Sequence, residues 1–163
     1  MDCHRICRRG QRALDGEGAR LHGGRWNSPG APVVYASSTL ALAALEYLTH
    51  LDASEAPADL VALRIHIPDD VRVKSVALQA LPARWHRYPA PAACRSLGDA
   101  WIEKGDTAVL RVPAAPVFEE WNILLNPLHR DFKRIRQVSE RRFRFDERLV
   151  RMDGPASRGS RGK

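Results

Sequence analysis

The sequence predicts an α+β domain built on a mostly antiparallel or split sheet with flanking helices. Three observations predict it. Short runs of β-branched or alternating apolar residues recur along the chain, cut by Gly and Pro. Only two stretches, 39–51 and 92–104, read as helices. These helices do not alternate with the strands in a regular βαβ rhythm, which disfavours a parallel sheet.

Residues 21–30 (LHGGRWNSPG) are a loop dense in Gly, Asn, Ser and Pro, yet the loop carries Arg25 and Trp26. Residues 32–37 (PVVYAS) are β-branched and aromatic and read as a short buried strand. Residues 39–51 (TLALAALEYLTHL) are apolar almost all round and read as a buried helix, with Ser37, Ser38 or Thr39 available as N-cap. In 60–68 (LVALRIHIP), Val61, Leu63, Ile65 and Ile67 share one face and Arg64 and His66 the other, the period of a strand. Residues 71–77 read as a further strand. Residues 92–104 form a helix closed by Gly105. Residues 108–113 and 121–125 read as strands. In 133–149 (KRIRQVSERRFRFDERL), Ile135, Val138, Phe143 and Phe145 alternate with charges and suggest strands with a solvated basic face.

With 163 residues, 44% of them hydrophobic, the chain is the size of one domain with its own core. Residues 1–150 are expected to be that domain and 151–163, rich in Gly, Ser and Arg, a flexible basic tail. No run of 18 apolar residues is present, and the first ten residues, MDCHRICRRG, lead into no apolar stretch, so the expected compartment is the cytosol. Cys3, Cys7 and Cys94 are too few for a disulfide scaffold; Cys3, His4 and Cys7 have no second ligand pair at zinc spacing, and three reduced thiols are expected. The net charge of +7 is uneven: residues 1–129 hold 14 basic and 14 acidic side chains, residues 130–163 hold 12 and 5. Solvated surface, an acidic protein partner and nucleic acid are all open readings of that basic end.

The polar residues of the 39–51 helix point to chemistry. Glu46, Thr49 and His50 sit at i, i+3 and i+4 and share one face of an otherwise apolar helix. A carboxylate in such surroundings requires a partner, unless the helix is an ordinary amphipathic one whose polar stripe meets solvent. Upstream, Arg25 in a Gly-rich loop is an anion grip, since guanidinium binds phosphate bidentately, and Trp26 beside it is an apolar plate.

Two blocks of the chain resemble the RES domain family, named for an Arg, a Glu and a Ser. They are LDGEGARLHGGRWNSPGAPVVYASSTLALAALEYLTH and VLRVPAAPVFEEWNILLNPLHRDF; with the link DLVALRIHIPDDV they span most of residues 5–150. The resemblance implies an ADP-ribosyltransferase-like fold, NAD+ as substrate with no metal called for, and the toxin role in a bacterial toxin–antitoxin pair. It also implies an Xre-type antitoxin that covers the active site, expected near the 21–30 loop and the 46–50 face. The family Arg falls on Arg25, the Glu on Glu46 and the active-site Tyr on Tyr35; Ala114 stands where the family usually has Ser.

In that reading Glu46 stabilises the oxocarbenium-like ribose, Arg25 holds the pyrophosphate or adjoining ribose, and Tyr35 stacks on nicotinamide. Trp26 and Asn27 are expected at the pocket rim. His50 is expected to orient Glu46, and Arg5 is a further anion-binding candidate. The acceptor stays open between water, phosphate and a protein side chain, with transfer of ADP-ribose to a protein the preferred expectation. A non-catalytic module that binds an acidic partner or nucleic acid through the basic C-terminal third is the competing reading.

Overall fold

The computed structural model describes residues 1–51 and 57–150; the expected tail at 151–163 lies outside the described residues. Seven strands form one sheet, β1 (Asp2–Arg8), β2 (Val34–Ser37), β3 (Leu60–His66), β4 (Val73–Ser75), β5 (Val109–Pro113), β6 (Trp121–Leu125) and β7 (Arg136–Arg142). The helices are α1 (Glu17–His22), α2 (Leu40–Leu48), α3 (Ala92–Lys104) and the single turn α4 (Glu147–Val150). The strand order is β4-β5-β6-β2-β1-β3-β7, and every pairing is antiparallel except β4 with β5.

The sheet is split, as the sequence suggests. β1 runs against β3 over seven residue pairs, from Asp2 with His66 to Arg8 with Leu60. On its other side it meets β2 at one pair, His4 with Ser37. Two blocks, β4-β5-β6-β2 and β1-β3-β7, therefore join at a single point, and α2 spans that junction. Its first residues are stitched to the β5–β6 side. The Thr39 hydroxyl caps the Leu42 N–H at 3.0 Å and donates to Glu120 at 2.8 Å. Its buried Ala43 packs on Ile6, Leu60 and Ala62 of the β1-β3 block.

The core forms two layers. On one face Tyr35, Leu110, Val112 and Leu124 pack against Cys94 and Trp101 of α3 and against Trp26 and Trp85. On the other, Cys3, Val34, Ala36, Ile65, Val109, Ile123 and Leu125 pack with Ile67, Val71, Phe132 and Ile135. Side-chain alternation along each strand produces this division.

Several expectations change. β1 is a central strand that the sequence hides, because its buried positions are Cys3, Ile6 and Cys7 among charged neighbours; thiols fill them as small hydrophobes. Cys3 and Cys7 pack on the face opposite Ile6, so His4, which alternates with them, cannot converge with both on one metal. The helix expected at 39–51 ends at Leu48 and is amphipathic rather than buried all round: Leu42 and Ala43 are buried, while Leu45 is 37% exposed. Of the basic C-terminal segment, 136–142 is a strand, exposed along its whole length at the sheet edge. Ile135 instead enters the core, and Phe143 and Phe145 pack beside Tyr47 at the end of α2. The 92–104 helix stands as expected, with Gly105 at φ 60° closing it.

Candidate active site

The Arg25 loop is built to hold one shape. Arg25 and Trp26 form the tip of a turn closed by Gly24 and Asn27, whose backbones bridge at 2.9 Å. The tip divides its two side chains. Trp26 goes inward, 1% exposed, with its ring 6.1 Å from that of Trp85. Arg25 stays half-buried and its Nη1 donates to the carbonyls of Trp85 and Arg87, at 2.5 and 3.0 Å. The loop backbone presses on α3 at Gly98, where a Cβ would lie 1.6 Å from the Trp26 carbonyl oxygen. Ser28 is tied to the same helix: its N–H and hydroxyl donate to the two oxygens of Asp99, at 2.8 and 2.6 Å.

Asn27 is the staple of the loop. It is fully buried, and its Nδ2 is directed at the carbonyls of Ala19, Ser28 and Ala31. Its Oδ1 accepts from the Tyr35 hydroxyl at 2.8 Å, and that hydroxyl accepts from the Trp26 N–H at 3.1 Å. Gly24 makes room for this contact, since a Cβ there would lie 2.6 Å from the Tyr35 oxygen. Burial pushes the Tyr35 hydroxyl well above the ordinary tyrosine range; the Trp26 N–H and the Arg25 charge oppose that rise, while Asp99 and Glu46 add to it. Tyr35 is therefore a fixed neutral group, within reach of the charges of both Arg25 and Glu46.

Glu46 sits two turns into α2, half-buried, over the split in the sheet. Helical side chains lean toward the helix N-terminus, and that carries its carboxylate back over β6. There its Oε1 accepts from the Asn122 side-chain amide. The Oδ1 of Asn122 accepts in turn from the Ser37 hydroxyl at 2.9 Å. Ser37 and Asn122 are direct cross-strand partners and both are buried. His4 stands next to Ser37 across the seam, and burial lowers its basicity.

The structure thus brings Arg25, Tyr35 and Glu46 to one face of the sheet. The other sequence candidates fall differently. Trp26 is core rather than a plate at a pocket rim, because the turn points it at Trp85 and α3. Asn27 is likewise buried inside the loop. His50 lies exposed in the turn beyond the end of α2, so no helical turn aligns it with Glu46. Arg5 alternates with Ile6 and shares the Cys3 and Cys7 face, opposite the Glu46 side; its guanidinium donates to the Gln11 carbonyl at 3.3 Å. Ala114 is fully buried just beyond β5. Asn122, Ser37 and Gly98 are missed by the sequence reading. Their signals are an amide inside the apolar run WNILL, a hydroxyl ending VVYAS and a glycine inside a helix.

The chain is similar to known proteins over most of its length. The RES domain family model matches residues 2–146. A Prs ADP-ribosylating toxin from Sphingobium sp. is 40% identical over 140 residues, covering 85% of this chain and 87% of that protein. A Toxin Res from Photorhabdus laumondii subsp. laumondii is 38% identical over 141 residues, 85% of this chain and 89% of that one. Among solved structures, the M. tuberculosis MbcT–MbcA toxin–antitoxin complex matches with a TM-score of 0.73 over 87% of this chain and 83% of that chain; at 21% identity it shows a shared fold.

Proposed function

The chain belongs to the RES domain family, and on that premise we propose that it is a toxin that consumes NAD+ and transfers ADP-ribose to a protein. The observation that carries the reading is the Glu46 carboxylate, held by Asn122 over the split in the sheet and sharing a face with the tethered Arg25. The names of the relatives from Sphingobium and Photorhabdus support it.

In this proposal Arg25 binds the pyrophosphate of NAD+. One nitrogen is already held by two carbonyls, so the loop needs little reorganisation to present its remaining donors. The nicotinamide–ribose bond breaks with its electron pair leaving on nicotinamide. Positive charge then grows on the ribose, and the Glu46 carboxylate opposes it. An acceptor group attacks the ribose carbon and releases a proton. Tyr35 contributes its ring face, because its hydroxyl is committed to Trp26 and Asn27. The catalytic unit is residues 1–150, with 151–163 a basic tail. An Xre-type antitoxin covers the Arg25 and Glu46 face. Among the described residues no helix is long and apolar enough to cross a membrane; the proposed compartment is the cytoplasm.

The test is incubation of purified protein with labelled NAD+, with and without cell lysate. Label retained on a protein band, with free nicotinamide released, supports transfer. Free ADP-ribose or its phosphate ester replaces transfer by hydrolysis or phosphorolysis. No consumption in either condition rejects the proposal.

A further inference from the structure

We infer that Asn122 and Ser37 form a two-step hydrogen-bond brace that fixes the Glu46 carboxylate in its working orientation. Both are positioning residues, and the assignment of a working orientation rests on the proposed NAD+ chemistry.

The brace has a defined polarity. A carboxylate only accepts hydrogen bonds, so the side of Asn122 that faces Glu46 must be its N–H. The amide oxygen then faces Ser37, whose hydroxyl donates to it at 2.9 Å. A flipped amide would set two acceptors against each other at Glu46. Glu46 therefore fixes which end of the amide it meets, and the Ser37 hydroxyl, able to donate or accept, ties down the other end by donating to the amide oxygen. One carboxylate oxygen is engaged by β6, and the carboxylate loses the freedom to turn about its long side chain.

Folding alone does not explain this pair. Ser37 and Asn122 lie at 3% and 9% exposure, in strands whose other residues are Val, Tyr and Ala in β2 and Trp, Ile and Leu in β6. Burying a hydroxyl and an amide is unfavourable unless both are paired. A β-branched pair at the same cross-strand positions would form the same ladder without that requirement. The polar pair reaches one charged group, Glu46, which a different element carries, 76 residues away in sequence.

The test uses the full chain and two readouts. The first is NAD+ consumption by Asn122→Asp, Ser37→Ala and Ser37→Thr. Asn122→Asp keeps the shape but replaces the donor with an acceptor. Expected is a fall in kcat of roughly 10–100-fold, the range seen when a partner orienting a working ligand is lost, with KM for NAD+ held within about threefold of wild type. Ser37→Ala is expected to lower kcat about fivefold, the effect of one ordinary hydrogen bond, and Ser37→Thr to recover most of that loss. The second readout is the side-chain amide signal of Asn122 by ¹H–¹⁵N NMR, with and without Glu46→Ala. Expected is an upfield move and faster exchange with water when Glu46 is removed. The brace is overturned if Asn122→Asp leaves kcat unchanged, if the change falls in KM alone, or if the amide signal ignores Glu46→Ala. A wild-type protein that never consumes NAD+ rejects the functional proposal, and the NMR arm still decides the brace.

Discussion

The side-chain amide of Asn122 on β6 donates to the carboxylate of Glu46 on α2, joining the helix that spans the split sheet to the strand beneath it. The acid is not isolated in an apolar interior. It is half-buried and aimed by an amide, with its helix anchored at the opposite end by the Thr39 bond to Glu120.

Arg25 holds its loop and, in the proposed function, its substrate. Lysine retains the charge but lacks the planar guanidinium, which commits one nitrogen to the carbonyls of Trp85 and Arg87 and keeps its others for substrate. Arg25→Lys is expected to weaken NAD+ binding about tenfold, the equivalent of one charged hydrogen bond, measured by isothermal titration. Unchanged affinity would remove Arg25 from the binding site.

Gly98 sets how close the loop lies to α3. Its added Cβ in Gly98→Ala would fall 1.6 Å from the Trp26 carbonyl oxygen, a backbone atom that cannot rotate away. The loop must shift, with a stability loss of about 2–3 kcal/mol, typical of overpacking, read by urea denaturation. Because Arg25 is next in sequence, substrate affinity should fall with it. A fully stable Gly98→Ala would show that the loop does not press on the helix.

The Tyr35 hydroxyl satisfies two groups at once. Tyr35→Phe leaves the Trp26 N–H and the buried Asn27 Oδ1 without this partner, and a loss of about 2 kcal/mol is expected. Ultraviolet titration of the folded wild-type protein should show a tyrosine that stays neutral above the ordinary tyrosine range and that is missing from Tyr35→Phe.

Alkaline pH should weaken the fold through its buried thiols. Burial, with Asp2 adding, pushes Cys3 up to about 12, and burial raises Cys7 and Cys94 as well. An unfolded thiol ionises near about 8.5. Above that pH the unfolded chain has lost protons that the folded chain keeps, so the unfolded state binds fewer and stability falls as pH rises. For Cys3 the stabilisation is complete below about pH 8.5 and declines toward pH 12, with a slope of up to about 1.4 kcal/mol per pH unit. Denaturation series between pH 8 and 10 should show this slope reduced in Cys3→Ala. An equal slope in both proteins would contradict the burial argument.

What was legible in the sequence was local. The period of 60–68, the β-branched run at 32–37 and Gly105 report strands and a helix end through their own chemistry. Arg25, Tyr35 and Glu46 are legible because a Gly-rich loop, a strand and a helix carrying them follow within a short span that resembles the RES domain family. β1 is hidden because cysteines fill its buried positions. Asn122 and Ser37 are hidden because their meaning depends on strand pairing and on a helix that crosses the sheet from elsewhere in the chain. Trp26 and Asn27 look like binding residues, since loops rich in Gly and Asn line many sites; here tertiary packing turns both inward.

The most direct test of the central claim compares wild type with Glu46→Gln in release of nicotinamide from NAD+. Glutamine keeps the size and a carbonyl for the Asn122 amide but removes the negative charge. The expected result is a loss of roughly 10²–10³-fold in kcat, as for removal of a preorganised electrostatic group, in a protein with wild-type melting behaviour. Nicotinamide release by Glu46→Gln at the wild-type rate would contradict the role of this carboxylate.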